Sequence, residues 1–285
     1  MRNILFNLSG KIDQQRLDAL QTIKKEADNL NIPFFVVGAF ARNLILKHYG
    51  ITPRRITGDI DLGINVNDWA QFNKLTDSLI ATGKYSRTKE PQRLLFESIP
   101  IDIVPFGKIS GEKVKIDWPP EHEIFMSIVG FKEAFENSIT VRLNSDPELD
   151  IKVSTLPGLA VMKLISWKEK YPERPKDADD LFLIMNEYER TVNSDRLFEE
   201  KLMDEEGFDA TLASIRLLGR DMAMIADKDT ANEIRSILED ETHDSQKLII
   251  DIIRERKMFD DKFETINLHL EKLKQGFIEA IGKGY

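Results

Sequence analysis

Between residues 13 and 30, apolar side chains return every three or four positions, with Leu17, Leu20, Ile23, Ala27 and Leu30 on one side of a helix. The spacing predicts an amphipathic helix ahead of the first core strand. Phe34-Phe35-Val36-Val37 is an unbroken β-branched and aromatic run that stops at Gly38-Ala39 and yields to helical spacing over residues 40–47. Residues 57–62 read as a strand, and a further helix is expected from Asn67, an N-cap type residue, through Trp69, Phe72, Leu75 and Leu79 to Gly83. Short β-rich runs follow at 93–98, 101–105, 124–129, 138–143 and 150–153.

From Thr155 onward the periodicity is helical only. Thr155 can cap a helix with Pro157 in its first turn, and the stretch from Pro172 to Pro175 breaks it before another helix starts near Lys176. Later stripes, such as Leu212, Ile215, Leu218, Met222 and Ile225, read as core or partner surface rather than a cofactor site. The expected architecture is α+β (α/β): a small mixed sheet flanked by helices over residues 1–154, then a helical domain over residues 155–285.

Chemistry enters at Thr57-Gly58-Asp59-Ile60-Asp61-Leu62. In an extended chain Asp59 and Asp61 point to one face while Ile60 and Leu62 point to the other. Two carboxylates on one face repel unless a cation lies between them, and hard oxygen ligands of this kind suit Mg²⁺. A third acid, Asp102, sits in the apolar run Pro100-Ile101-Asp102-Ile103-Val104-Pro105, where a carboxylate is costly unless paired, hydrogen-bonded or metal-bound. Upstream, Gly38 allows close backbone approach to a phosphate, and the first N–H groups of the following helix are unpaired donors at the positive end of its dipole.

Composition narrows the picture modestly. A chain of 285 residues, 41% hydrophobic, can fill two ordinary cores. It has no cysteine, which excludes disulfides and thiolate metal sites and suits a reducing, cytoplasmic setting. Its four histidines, His48, His122, His243 and His269, lack metal-ligand spacing. No apolar run approaches the roughly 20 residues needed to span a bilayer, so neither a membrane nor secretion is expected. The net charge of −9 opposes a broad nucleic-acid surface. A local positive cleft is still expected from Arg42, Lys47, Arg54 and Arg55, from Lys84, Arg87, Lys89 and Arg93, and from Lys163, Lys168, Lys170, Arg174 and Lys176.

An apolar strand, a Gly turn, a helix, an Asp-x-Asp strand and a later acid together resemble the nucleotidyltransferases of the polymerase-β-like fold. More narrowly, Gly38-Ala39-Phe40-Ala41-Arg42 followed by Arg55-Ile56-Thr57-Gly58-Asp59-Ile60-Asp61-Leu62 is similar to the first motif of the AbiEii/AbiGii-type toxin nucleotidyltransferases. Lys163 with Leu164-Ile165-Ser166, and Lys176-Asp177-Ala178-Asp179-Asp180-Leu181, resemble later elements of the same group. The resemblance covers about residues 30 to 190. It implies an N-terminal nucleotidyltransferase domain whose nucleotide site the helical domain completes. Asp59, Asp61 and Asp102 would be its catalytic residues and the ligands of two Mg²⁺ ions. Gly38, Ala39, Arg42, Thr57, Lys163 and Asp177 would bind the nucleoside triphosphate, with Arg55, Lys176 and Asp180 in support. Where the family commonly has Gly or Ser, Ala39 stands here, so contact to the terminal phosphate falls to backbone N–H groups. The implied acceptor is RNA, tRNA above all, and the implied protein partner a cognate antitoxin. A small-molecule acceptor, as in antibiotic-modifying enzymes, or a protein acceptor would use the same motifs. A non-catalytic nucleotide-binding module stands outside that class, and the retention of all three acids argues against it.

Overall fold

A computed structural model of the protein describes residues 5–53, 57–111, 115–119, 125–243, 245–258 and 262–284. The chain divides into two compact units, one through Thr155 and one from Leu156.

The first unit is built on a mixed sheet. Its strands are β1 (Leu5–Asn7), β2 (Phe34–Val37), β3 (Ile60–Asn65), β4 (Tyr85–Arg87), β5 (Arg93–Phe96), β6 (Ile99–Phe106), β9 (Ile139–Ser145) and β10 (Glu148–Val153), while β7 (Lys115–Asp117) and β8 (Phe125–Ser127) form a separate hairpin. The order across the sheet is β1-β9-β10-β2-β3-β6-β5-β4. Helices α1 (Gln14–Asn29), α2 (Gly38–His48), α3 (Trp69–Ala81) and α4 (Phe131–Glu136) complete the unit. Ile60, Leu62, Ile64, Ile101 and Ile103 are all buried on one face of the central strands. On the other, Phe35 and Phe106 meet Phe131 and Phe135 of α4, and Gly63 lies directly opposite Phe35. A Cβ at Gly63 would come 2.3 Å from the Phe35 ring, so glycine makes room for this aromatic cluster.

β6 carries two prolines in an interior strand, where a missing N–H normally breaks the ladder. Pro100 lies opposite Leu95 of β5 before pairing with β3 begins, and Pro105 lies opposite Ile64 of β3 after pairing with β5 has ended. Each proline therefore has a strand partner on one flank only.

Local departures from the sequence reading have local causes. The helix expected from Asn67 is capped instead by Asp68, whose carboxylate accepts from the Gln71 N–H, while the Asn67 N–H donates to the Gln71 side chain at 2.8 Å. The run 93–98 is not one strand. The chain reverses at Glu97–Ser98, with Glu97 at φ +52°, and residues 99–106 return as β6. The strand expected over 124–129 is the short β8; residue 124 lies outside the described residues.

The second unit is helical: α5 (Leu156–Lys170), α6 (Pro175–Thr191), α7 (Ser194–Glu199), α8 (Leu202–Glu205), α9 (Ala210–Ile225), α10 (Lys228–His243), α11 (Lys247–Arg256) and α12 (Phe263–Gly284). No helix among the described residues is long and apolar enough to cross a membrane. α9 and α12 pack backbone to backbone through glycine. A Cβ on Gly219 would lie 2.1 Å from the Leu273 carbonyl oxygen, and one on Gly276 would lie 1.8 Å from that of Arg216. Beside this contact the buried Arg216 guanidinium bridges Glu206 at 2.7 Å and Glu279 at 2.5 Å, joining α9 to α12.

Because backbone atoms cannot rotate away, Gly219→Ala or Gly276→Ala must separate the two helices, and each is expected to destabilise the protein by about 3 kcal/mol. Gly282→Ala, where an added Cβ meets nothing within 4 Å, should leave the melting temperature unchanged or slightly raised. Thermal unfolding of the three variants beside the wild type checks the contrast.

Candidate nucleotidyl-transfer site

The ladder of the central sheet brings the acids together. Val37 of β2 is opposite Asp61 of β3, Asp61 is opposite Asp102 of β6, and Asp102 is opposite Arg93 of β5. One row across four strands therefore ends in two carboxylates and a guanidinium. Asp59 lies one residue before β3, which starts at Ile60 rather than at Asp59. The loop still aims it at the row. The Thr57 hydroxyl donates to Asp59 Oδ1, and the Thr57 carbonyl accepts from Arg16 Nη2 at 2.8 Å. Carboxylate oxygens of Asp59, Asp61 and Asp102 all lie within 4.8 Å of one another, and no other group of this kind exists among the described residues.

Such a set fits a hard divalent cation. It offers oxygen donors only, with no sulfur or imidazole in the cluster to favour a softer metal.

Gly38 opens α2 directly after β2, with φ at +66°, a region that side-chain-bearing residues avoid. A Cβ there would stand 2.0 Å from Asp61 Oδ2. The glycine thus meets two needs, the left-handed turn and the seat of an acid. The N-cap residue, Val37, supplies no side-chain acceptor to the first turn of α2. Ala39 is half-buried in the same turn.

The other expected residues fall in different surroundings. Arg42 is 3% exposed, and its Nε and Nη2 both donate to Asn43 Oδ1. Thr57 acts on Asp59 through its hydroxyl. Arg55 lies outside the described residues, as does Arg54. In the second unit, Lys163 of α5 binds Asp177 and Asp180 of α6, each at 2.7 Å, and Asp177 also accepts from Ser166 at 2.8 Å. Burial alone would lower the Lys163 pKa, but the charges of Asp180 and Asp177 outweigh it and hold the amine above the ordinary lysine value. Lys176 is exposed on the first turn of α6.

Arg93 was grouped in the sequence only with its basic neighbours. In the structure it forks onto Asp102, Nε to Oδ1 and Nη2 to Oδ2, both at 2.7 Å. The hydrogen bonds to Asp102, followed by the charges of Asp102, Glu90 and Asp59, raise its pKa well above the usual arginine range despite partial burial. The signal was present in the hairpin: with two residues, Glu97 and Ser98, at the turn, counting back from Phe96 opposite Ile99 puts 93 opposite 102. Other cations expected to line a positive cleft also have partners, Arg87 on Asp77 at 2.6 Å and Lys168 on Asp240 at 2.6 Å.

Replacing Gly38 by Ala would force its Cβ and Asp61 apart and strain φ. Activity is expected to fall at least about tenfold, with stability lowered by about 1–3 kcal/mol. Parallel turnover and melting measurements on Gly38→Ala check both.

Comparison with known proteins gives a family. No curated protein matches the sequence. Among solved structures the chain is similar to the antibiotic-resistance factor ANT(2'')-Ia, at 13% identity and a TM-score of 0.38, covering 69% of this chain and 97% of that one. It is also similar to a CCA-adding enzyme in complex with ATP, at 15% identity and a TM-score of 0.34, covering 96% and 83%. A Thermotoga maritima CCA-adding enzyme complexed with tRNA aligns at 13% identity with a TM-score of 0.26, again covering 96% and 83%. Residues 24–265 match the family described as nucleotidyl transferase AbiEii toxin of type IV toxin–antitoxin systems. The chain belongs to this AbiEii family and is a nucleotidyltransferase.

Proposed function

We propose that the protein moves a nucleoside monophosphate from a nucleoside triphosphate to a hydroxyl of RNA, with tRNA the first acceptor to test, and that Mg²⁺ at Asp59, Asp61 and Asp102 supports the transfer. The observation that carries this reading is the meeting of three carboxylates within 4.8 Å beside Gly38 at the start of α2. Bound divalent ions, two in the full reading, would neutralise the triphosphate and lower the pKa of the attacking hydroxyl. The residues then have separable tasks. Asp59 and Asp61 would hold a Mg²⁺ ion on the triphosphate, and the N–H groups of Gly38 and Ala39 donate to its β and γ phosphates. Asp102 takes the proton of the acceptor hydroxyl. The acceptor oxygen bonds to the α-phosphorus, the bond from that phosphorus to the bridging oxygen breaks, and pyrophosphate leaves with the electron pair.

Within the second unit, Lys163 is the proposed phosphate-binding cation. Asp177 and Asp180 hold it there, so a phosphate would exchange with carboxylates rather than meet a bare ammonium. The family supports a toxin whose protein partner is a cognate antitoxin. A second reading, a small cationic acceptor, draws support from the net charge of −9 and from the pairing of the cations that a nucleic acid would need.

The test is to incubate the purified chain with Mg²⁺, each α-labelled nucleoside triphosphate in turn and total cellular tRNA. Label is expected on RNA with the wild type and to fall on the order of 10³-fold or more with Asp59→Asn and Asp61→Asn. Both variants should melt no lower than the wild type, because a repelling pair is relieved. Undiminished transfer by either variant removes these acids from the mechanism. Transfer to a small cation or a protein, with none to RNA, replaces the proposed acceptor.

A further inference from the structure

The sheet dictates the position of Arg93 as strictly as it dictates those of Asp61 and Asp102. The two-residue turn at Glu97–Ser98 fixes the register of β5 on β6, and that register puts Arg93 opposite Asp102. Both oxygens of Asp102 are engaged by the fork at 2.7 Å, a charge-assisted pair with the geometry that arginine reserves for carboxylates. A full positive charge is therefore already seated on Asp102.

A divalent ion bound to either oxygen of Asp102 would lie within one contact distance of that guanidinium. The two cations cannot share the carboxylate without strong repulsion at such range. Of the ion pair, Asp102 is the more enclosed, at 15% side-chain exposure against 33% for Arg93, and it sits on the interior strand. Arg93 is thus the partner able to swing away.

We infer that Arg93 is a positioning residue that serves as a built-in counter-ion for Asp102 and competes with a divalent cation for its carboxylate. This rests on the metal-dependent reading above. The site, as folded, accepts an ion on Asp102 only as Arg93 releases that carboxylate. Arg93 thereby sets the concentration of divalent cation at which the site fills.

Binding of Mn²⁺ to the full chain without nucleotide, followed by loss of the free-ion spin-resonance signal, reads this directly. The expected result is Mn²⁺ binding that Arg93→Gln tightens about tenfold. Arg93→Lys, which keeps the charge but loses the fork, should tighten it less, and it serves as the measurement if circular dichroism finds Arg93→Gln unfolded. Unchanged or weakened binding in a folded variant overturns the inference. Asp61→Asn tests the underlying reading separately. Binding that survives Asp61→Asn lies elsewhere and overturns both, whereas binding lost in Asp61→Asn yet unaltered by Arg93→Gln removes only the role of Arg93.

Discussion

Like charges are held in register across the centre of the sheet, and the rest of the first unit is arranged around that constraint. Asp61 and Asp102 face each other on parallel strands with Asp59 beside them, their oxygens within 4.8 Å. At that distance two ionised carboxylates repel by about 3 kcal/mol for an effective dielectric near 20. The opposite face of the same strands outweighs this. Ile60, Leu62, Ile64, Ile101 and Ile103 are buried there, each contributing about 2 kcal/mol. Two such side chains already exceed one carboxylate repulsion. A slip of one residue would turn the acids into this apolar face and its apolar side chains out of it, so the apolar face fixes the register that brings the carboxylates together.

The same constraint explains why a helix begins where it does. β2 lies next to β3, so the residue after Val37 must pass close to Asp61, and only glycine leaves space for Asp61 Oδ2 while accepting φ of +66°. The turn that clears the acid also directs the chain into α2. The N–H donors of the first turn of α2 and the carboxylates are neighbours for this steric reason, since both are set by one residue at the end of one strand. A helix start and an acidic cluster, each common alone, are tied together here by chain geometry.

What could be read in the sequence follows the range of the interaction. The period-two placement of Asp59 and Asp61, the break at Gly38-Ala39 and the helix over 13–30 are local patterns, and the fold contains the corresponding elements: β2, α2, β3, and α1 capped by Asp13. The start of β3 after Asp59 was not legible, because that acid is held by Thr57 and, through it, by Arg16 of a distant helix. Arg93 was missed because its partner depends on a turn, Glu97–Ser98, without the Asn-Gly or Asp-Gly signal that marks tight hairpins. β1, β4 and β7 are three residues each, too short to carry a period. Gly219 and Gly276 belong to no pattern in the sequence, and only the approach of α9 to α12 gives them a purpose.

Both cations with a proposed role near phosphate or metal, Arg93 and Lys163, already have carboxylate partners, Asp102 for the first and Asp177 with Asp180 for the second. Binding an anion at such a cation exchanges one partner for another, so the net gain per contact is smaller than for a solvated lysine and less dependent on salt. An acidic chain gains selectivity from this. Bare lysines would attract any polyphosphate, including the backbone of nucleic acid in general, whereas cations caged by acids yield only to a ligand that also satisfies those acids. In the proposed reading a triphosphate arriving with divalent cations would do so at either cation, because the metal would compensate the carboxylates that the phosphates displace. Anion and cation would then be recognised together, which makes the net charge of −9 compatible with a substrate that is itself strongly negative.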